Sequence, residues 1–147
     1  MKNTLLTLVI IFFTLTACTP ALDEPVNNNE PSTPPTSDYL PNPEDANLTR
    51  DVVYLDTVDL LTLESFPLQF TLVFKGNLPT PCHKLRVAAN QPDAENKIVM
   101  EVYSVTDPNT ACILVLEPFE ISFPLGDYPQ GHYTIWVNGK QVSEFDA

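Results

Sequence analysis

His83 and His132 are the only imidazoles in the chain, so hydrolytic chemistry that needs a base beside a serine or cysteine has two places to start. Neither has a nucleophile motif around it. His132 precedes Tyr133 in a strand-like run and reads as a surface residue, and His83 adjoins Cys82. Cys82 and His83 are poor joint metal ligands, because neighbours on a strand point to opposite faces and no CxxC or HxxxH spacing supplies further donors. Glu117 and Glu120 straddle Pro118 and Phe119 and have the residue types of a glycosidase pair. Solvated positions around a buried phenylalanine explain them more simply. The acidic residues never fall into the D-x-D-x-D spacing of a calcium loop. The expectation is a chain without catalytic residues, cofactor or metal.

The N-terminus carries a different kind of chemistry. Met1-Lys2-Asn3-Thr4 supplies one positive charge, and Leu5 to Leu15 follows as an apolar run broken only by Thr7 and Thr14, the plan of an export signal. A spanning helix needs about 20 apolar residues, and the Pro-rich sequence after Thr19 does not continue the run. Leu15-Thr16-Ala17-Cys18 resembles the lipobox of bacterial lipoproteins: a branched apolar residue, two small ones, then the cysteine that becomes the new N-terminus. That resemblance implies cleavage of residues 1–17 and acylation of the Cys18 sulfur, with a third chain on the amine in many bacteria. Two or three chains anchor a protein almost permanently, whereas one binds marginally. It places the chain on the cell membrane or outer membrane, facing out of the cytoplasm. Thr19 in place of Asp would match outer-membrane sorting in a diderm. In such a protein the acceptor pattern Asn47-Leu48-Thr49 carries little meaning.

With Cys18 lipidated, Cys82 and Cys112 remain, and two cysteines outside the cytoplasm read as a disulfide. Closing a loop of about 31 residues stabilises a fold by roughly 3 to 4 kcal/mol in the chain-entropy model. The rival reading is a thiol or metal site. The full chain carries 19 acidic and 7 basic side chains, a net charge of −12, and loss of Lys2 makes it more negative. Nucleic acid and anionic lipid headgroups are therefore excluded as electrostatic partners.

The elements that must position these residues divide the chain in three. After the signal, residues 18–50 read as a lipid-anchored linker: seven prolines and six carboxylates lie between Thr19 and Thr49, Tyr39 is the only aromatic there, and no basic residue precedes Arg50. Such a stretch cannot bury a core, and at about 3 Å per residue it could lift a domain nanometres from a membrane. Residues 51–147 are long enough for one small domain. Phe66, Leu68, Phe70, Leu72 and Phe74 follow period two, as do Ile98, Met100 and Val102, then Phe119, Ile121 and Phe123. Each series predicts one buried strand face. Turns are predicted at Gly76-Asn77-Leu78-Pro79, Asn90-Gln91-Pro92-Asp93 and Asp107-Pro108-Asn109. Asn138-Gly139 suits a type I′ hairpin between Tyr133–Val137 and Lys140–Phe145. About seven strands at this spacing predict a single antiparallel β-sandwich.

Leu125 to Tyr133 contains Leu125, Tyr128, Gly131 and Tyr133 in an order that resembles the corner before the penultimate strand of immunoglobulin-like and fibronectin-like domains. The resemblance implies that the Tyr133 hydroxyl bonds back to the preceding turn. The cysteines, 30 apart and neither two residues after Tyr133, do not match the antibody disulfide.

The leading functional expectation is a non-catalytic binding module that recognises a protein or envelope component through edge strands or loops. Trp136 shares a strand face with Thr134 and Asn138, out of step with Tyr133, Ile135 and Val137. On an outer face it would be a binding anchor; the alternative is a tryptophan buried between sheets. A second expectation is an extracytoplasmic protease inhibitor presenting Gly76 to Pro81 or Asp107 to Ala111, with Pro79 and Pro81 stiffening the loop around Thr80. Envelope metal handling ranks third and an enzyme fourth.

Overall fold

The computed structural model describes residues 38–147. The expected signal segment, Cys18 and the linker as far as residue 37 lie outside the described residues. The domain is a β-sandwich of eight strands among those residues: β1 (Thr49–Asp51), β2 (Tyr54–Leu63), β3 (Gln69–Leu78), β4 (Lys84–Ala89), β5 (Lys97–Thr106), β6 (Glu117–Gly126), β7 (His132–Val137) and β8 (Lys140–Asp146). One sheet runs β2-β3-β6. In the other, β4 holds one edge of β5, while β7 pairs with Lys97–Met100 and β1 with Ser104–Thr106 along the opposite edge; β8 completes the sheet beside β7.

Period-two patterning places the core. Phe70, Leu72, Phe74 and Leu78 of β3 face Leu85, Val87, Ile98, Met100, Val102, Tyr133, Ile135, Val137 and Phe145 of the other sheet, and Phe119, Ile121 and Phe123 of β6 pack partly buried against them. The first predicted series overshoots. Phe66 and Leu68 lie exposed in the β2–β3 connection, because the alternation continues past the residue at which sheet pairing begins. Gly76-Asn77-Leu78 is not a turn but the end of β3. Gly76 is there for close approach: a Cβ would collide with the Tyr54 carbonyl and meet the Phe119 ring at 3.1 Å, next to the β2 irregularity between Leu55 and Thr57.

The sheets are antiparallel except where β5 and β7 run parallel, a departure from the all-antiparallel expectation. Parallel neighbours need a crossover, and β6, in the opposite sheet, supplies it. The β7–β8 turn forms as expected, with Asn138 at φ 49° and Gly139 at φ 81°. Asn138 does a second job. Its Oδ1 accepts the Val102 N–H and its Nδ2 donates to the Val102 carbonyl, both at 2.9 Å. The side chain thus stands in for a strand residue in the gap between β7 and β1 along β5.

The corner is present: the Tyr133 hydroxyl donates to the Pro129 carbonyl at 3.0 Å. Tyr133 stacks on Phe145 with centroids 5.2 Å apart, Tyr128 packs against both, and Phe70 approaches Phe145 at 4.0 Å. Burial in this cluster, with Tyr133 adjacent, raises the Tyr128 phenol above its ordinary pKa.

Residues 38–50, expected in the linker, are built onto the domain. Their anchor is Arg86, which points away from the core on β4 yet is buried. Its Nε and Nη2 donate to the two Asp45 oxygens at 2.7 and 2.8 Å, and Nη1 donates to the carbonyls of Asp38 and Leu85. Asp45 sits in a 3-10 turn, Pro43–Asn47, closed by a capping box with Asn42. Tyr39 adds a backbone bond from Val87 and donates its hydroxyl to the Ser122 carbonyl at 2.9 Å. A bidentate guanidinium pair with few escapes to water is strong, which is how a Pro-rich, acidic stretch is fastened.

The hydrogen bonds from Arg86 hold the Asp45 carboxyl below its ordinary pKa against the opposing effect of burial, with help from the Asn42 N–H. A carboxylate depressed in the folded state contributes stability above its unfolded pKa of about 3.9, and that contribution is lost as pH falls through the folded value. Asp45→Asn is therefore expected to lower stability by about 3 kcal/mol at pH 7, and urea unfolding across pH should show the difference between variant and parent narrowing progressively as pH falls below about 3.9. A constant difference down to pH 2 would contradict this account of the segment.

Candidate functional site

Thr80, Pro81, Cys82 and His83 form the turn between β3 and β4. Cys82 and Cys112 are joined as a disulfide with Cα atoms 6.1 Å apart, as expected. Thr80, expected at the tip of a presented loop, is instead only 7% exposed. Its hydroxyl pairs with His83 Nδ1 at 2.8 Å and accepts the Cys82 N–H at 3.3 Å. The His83 ring is buried, its Nε2 has no hydrogen-bond partner, and the Asp51 carboxylate stands 3.6 Å away, too far for a good hydrogen bond. Threonine, histidine and aspartate thus stand in the order of a hydrolytic triad, but a buried hydroxyl engaged on both sides offers a substrate no approach. They brace the turn that holds the disulfide. Pro81 alone of the predicted loop pair is exposed.

The other candidates separate in the same way. His132 is exposed and pairs with Asp146 at 2.8 Å. Glu120 pairs with Lys75 across to β3 at 3.1 Å, and Glu117 is exposed opposite Leu78. Among the described residues no three of His, Cys, Asp and Glu converge on one point. Trp136 lies on the outer face of its sheet, in register with Val99 and Gln141, and is half-buried. Lys97 Nζ sits 4.0 Å over the indole and Nε1 donates to Thr134 at 3.3 Å. Its ring face and its N–H are already occupied, so it is neither the free anchor nor the inter-sheet tryptophan of the two expectations.

Two features that those residues do not include present apolar side chains to solvent beyond the β2–β3 connection. The first is a groove of 710 Å³ where the sheets part at β4 and β6, lined by Tyr39 to Pro43, Lys84, Leu85, Phe119 and Ile121, with the neutralised Arg86 beside it. The second is Ile113-Leu114-Val115-Leu116, which runs from the disulfide into β6. Their exposures are 69%, 95%, 50% and 53%. These four residues belong to no strand and to no backbone hydrogen bond among the described residues. All four side chains are apolar and open to solvent. A signal for it was in the sequence: a continuous apolar run, without the alternation of the neighbouring strands, immediately after Cys112.

Residues 72–147, from within β3 to the end of β8, match the family model of the ORF11 beta-sandwich domain. The chain belongs to that family. No curated protein sequence matches the chain, and no solved structure does. The matched part of the ORF11 beta-sandwich domain contains β4 to β8, the disulfide, the Tyr133 corner and the apolar segment. Asp38 to Leu63, including β2 and the Asp45 clamp, precedes it.

If Thr80 braces the disulfide turn, Thr80→Ala removes both of its hydrogen bonds and leaves His83 Nδ1 unpaired. A loss of about 1 to 3 kcal/mol in thermal or urea unfolding is expected, with Thr80→Ser recovering most of it. An alanine variant as stable as the parent would return Thr80 to the role of a presented loop residue.

Proposed function

We propose that this chain is a lipid-anchored, non-catalytic binding module facing out of the cytoplasm, and that its partner is a protein of the cell envelope or its surroundings. The observation that carries the binding half is the apolar segment Ile113–Leu116, exposed at all four side chains and fastened at Cys112 by the disulfide. Contiguous apolar surface is costly to leave in water and marks interaction sites in soluble domains. Phe119, three residues further along the chain, lines the groove.

The anchoring half rests on Leu15-Thr16-Ala17-Cys18 behind a short apolar run. We read the sandwich as immunoglobulin-like on the strength of the Tyr133 corner. Its order departs from the C-F-G sheet of antibody constant domains, since β5 lies between β4 and β7 and runs parallel to the latter.

A second reading, protease inhibition, is favoured by one feature: Asp107 to Leu116 is an exposed segment tied down at Cys112, and such pre-ordering lowers the entropy lost in filling a cleft. Nanomolar inhibition of added proteases by the purified protein would move that reading to first place.

Intact mass of the N-terminus tests anchoring. Wild type is expected to begin at an acylated Cys18 and to partition into detergent, and Cys18→Ala to do neither. An unmodified N-terminus released into the medium would refute the anchor. For binding, a photo-reactive residue at Leu114 is expected to give one discrete protein adduct in cells that the same group at Glu95 does not. Equal, diffuse labelling at both positions would sink the binding role.

A further inference from the structure

We infer that Ile113–Leu116 is a recognition strand for an extended, apolar segment flanked by Lys or Arg on the partner protein. This rests on the binding role proposed above and names the chemistry of its partner.

Three observations lead there. An unbroken apolar run of strand length is the pattern of a strand covered on both faces, yet here all four side chains are open to solvent. Sheet pairing on β6 begins only at Glu117, opposite Leu78, so the backbone of residues 113–116 has two free edges and can accept a strand through main-chain bonds. Finally, residues 107–120 hold Asp107, Glu117 and Glu120 and no basic residue. Lys75 neutralises Glu120 only.

The same features limit what can bind. Tyr39 donates to the Ser122 carbonyl, so the outward-facing groups of β6 are those of Pro118, Glu120, Ser122 and Pro124, which share its register parity. Two of the four have no N–H and one carbonyl is taken. That edge is blunted against a long added strand, so pairing is confined to the short segment and its acidic flanks choose the partner. A second copy would set like charges against each other, and an anionic bilayer would repel them. A basic strand meets neither penalty.

The test uses the full lipidated chain, one copy per phosphatidylcholine nanodisc, carrying a photo-reactive residue at Leu114. Two labelled peptides compete: Lys-Lys-Val-Thr-Val-Ile-Val-Lys-Lys and the version with each Lys replaced by Glu. The inference expects adducts with the basic peptide, at least about tenfold over the acidic one in low salt, narrowing several-fold at 0.3 M salt as the flanking charges are screened. Fluorescence anisotropy on the unlabelled chain should give the same order, with Leu114→Asp losing binding. Glu117→Lys should bring the two peptides to parity or reverse them. Because both positions are exposed, unchanged far-ultraviolet circular dichroism checks that the variants fold.

Equal capture of both peptides, capture of neither, a lipid adduct in their place, or a covalent dimer when discs carry two copies would each overturn the inference. If the Leu114 adduct to a protein forms in cells while the basic peptide fails here, the partner's chemistry is wrong and the binding role stands. If neither forms, the binding role falls with it.

Discussion

A strand alternates its side chains between two faces, and a two-layer sandwich can cover only one of them. Every other feature of this domain follows from how each stretch meets that limit. β3 and β5 meet it by period two, with Phe70, Leu72 and Phe74 set against Ile98, Met100 and Val102. Residues 113–116 cannot meet it, because all four positions are apolar. The fold's response is to leave them outside the sheets, between Cys112 and the first paired residue of β6.

Polar contacts then fix the parts that apolar burial leaves free. Arg86 faces outward from β4, where burial would be costly if it were unpaired, and the Asp45 carboxylate with two backbone carbonyls resolves it. The clamp draws an acidic, Pro-rich stretch across β4 and narrows the opening between β4 and β6 to the groove floored by Phe119. At the neighbouring turn the Thr80–His83 pair positions the backbone of Cys82. Disulfide, brace and clamp therefore converge on the end of the sandwich from which the apolar segment emerges.

Much of the fold was legible in the residues because its determinants are local. Asn138-Gly139 adopts two positive φ values that few other pairs tolerate, and the Tyr133 corner closes over four residues. What was not legible depends on partners distant in sequence. Nothing near Arg86 announces Asp45, 41 residues earlier. The parallel pairing of β5 with β7 exists only because β6 crosses to the other sheet. Gly76 has the composition of a turn but the role of close approach to Tyr54. Of the candidate site, the cysteine pair was predictable. The burial of Thr80 and the contacts of Trp136 were not legible, since the hydroxyl's histidine and the indole's lysine are supplied by the folded neighbourhood.

The central claim is that the 113–116 segment is open in the isolated domain and covered in its working context. Hydrogen exchange of the amides of Ile113 to Leu116 tests it most directly, in the purified protein and in the same protein within fragments of the cells that make it. Fast exchange when purified and marked slowing in the fragments is the predicted result. Fast exchange in both would mean that no partner covers the segment, and slow exchange in both would mean that the domain covers it itself.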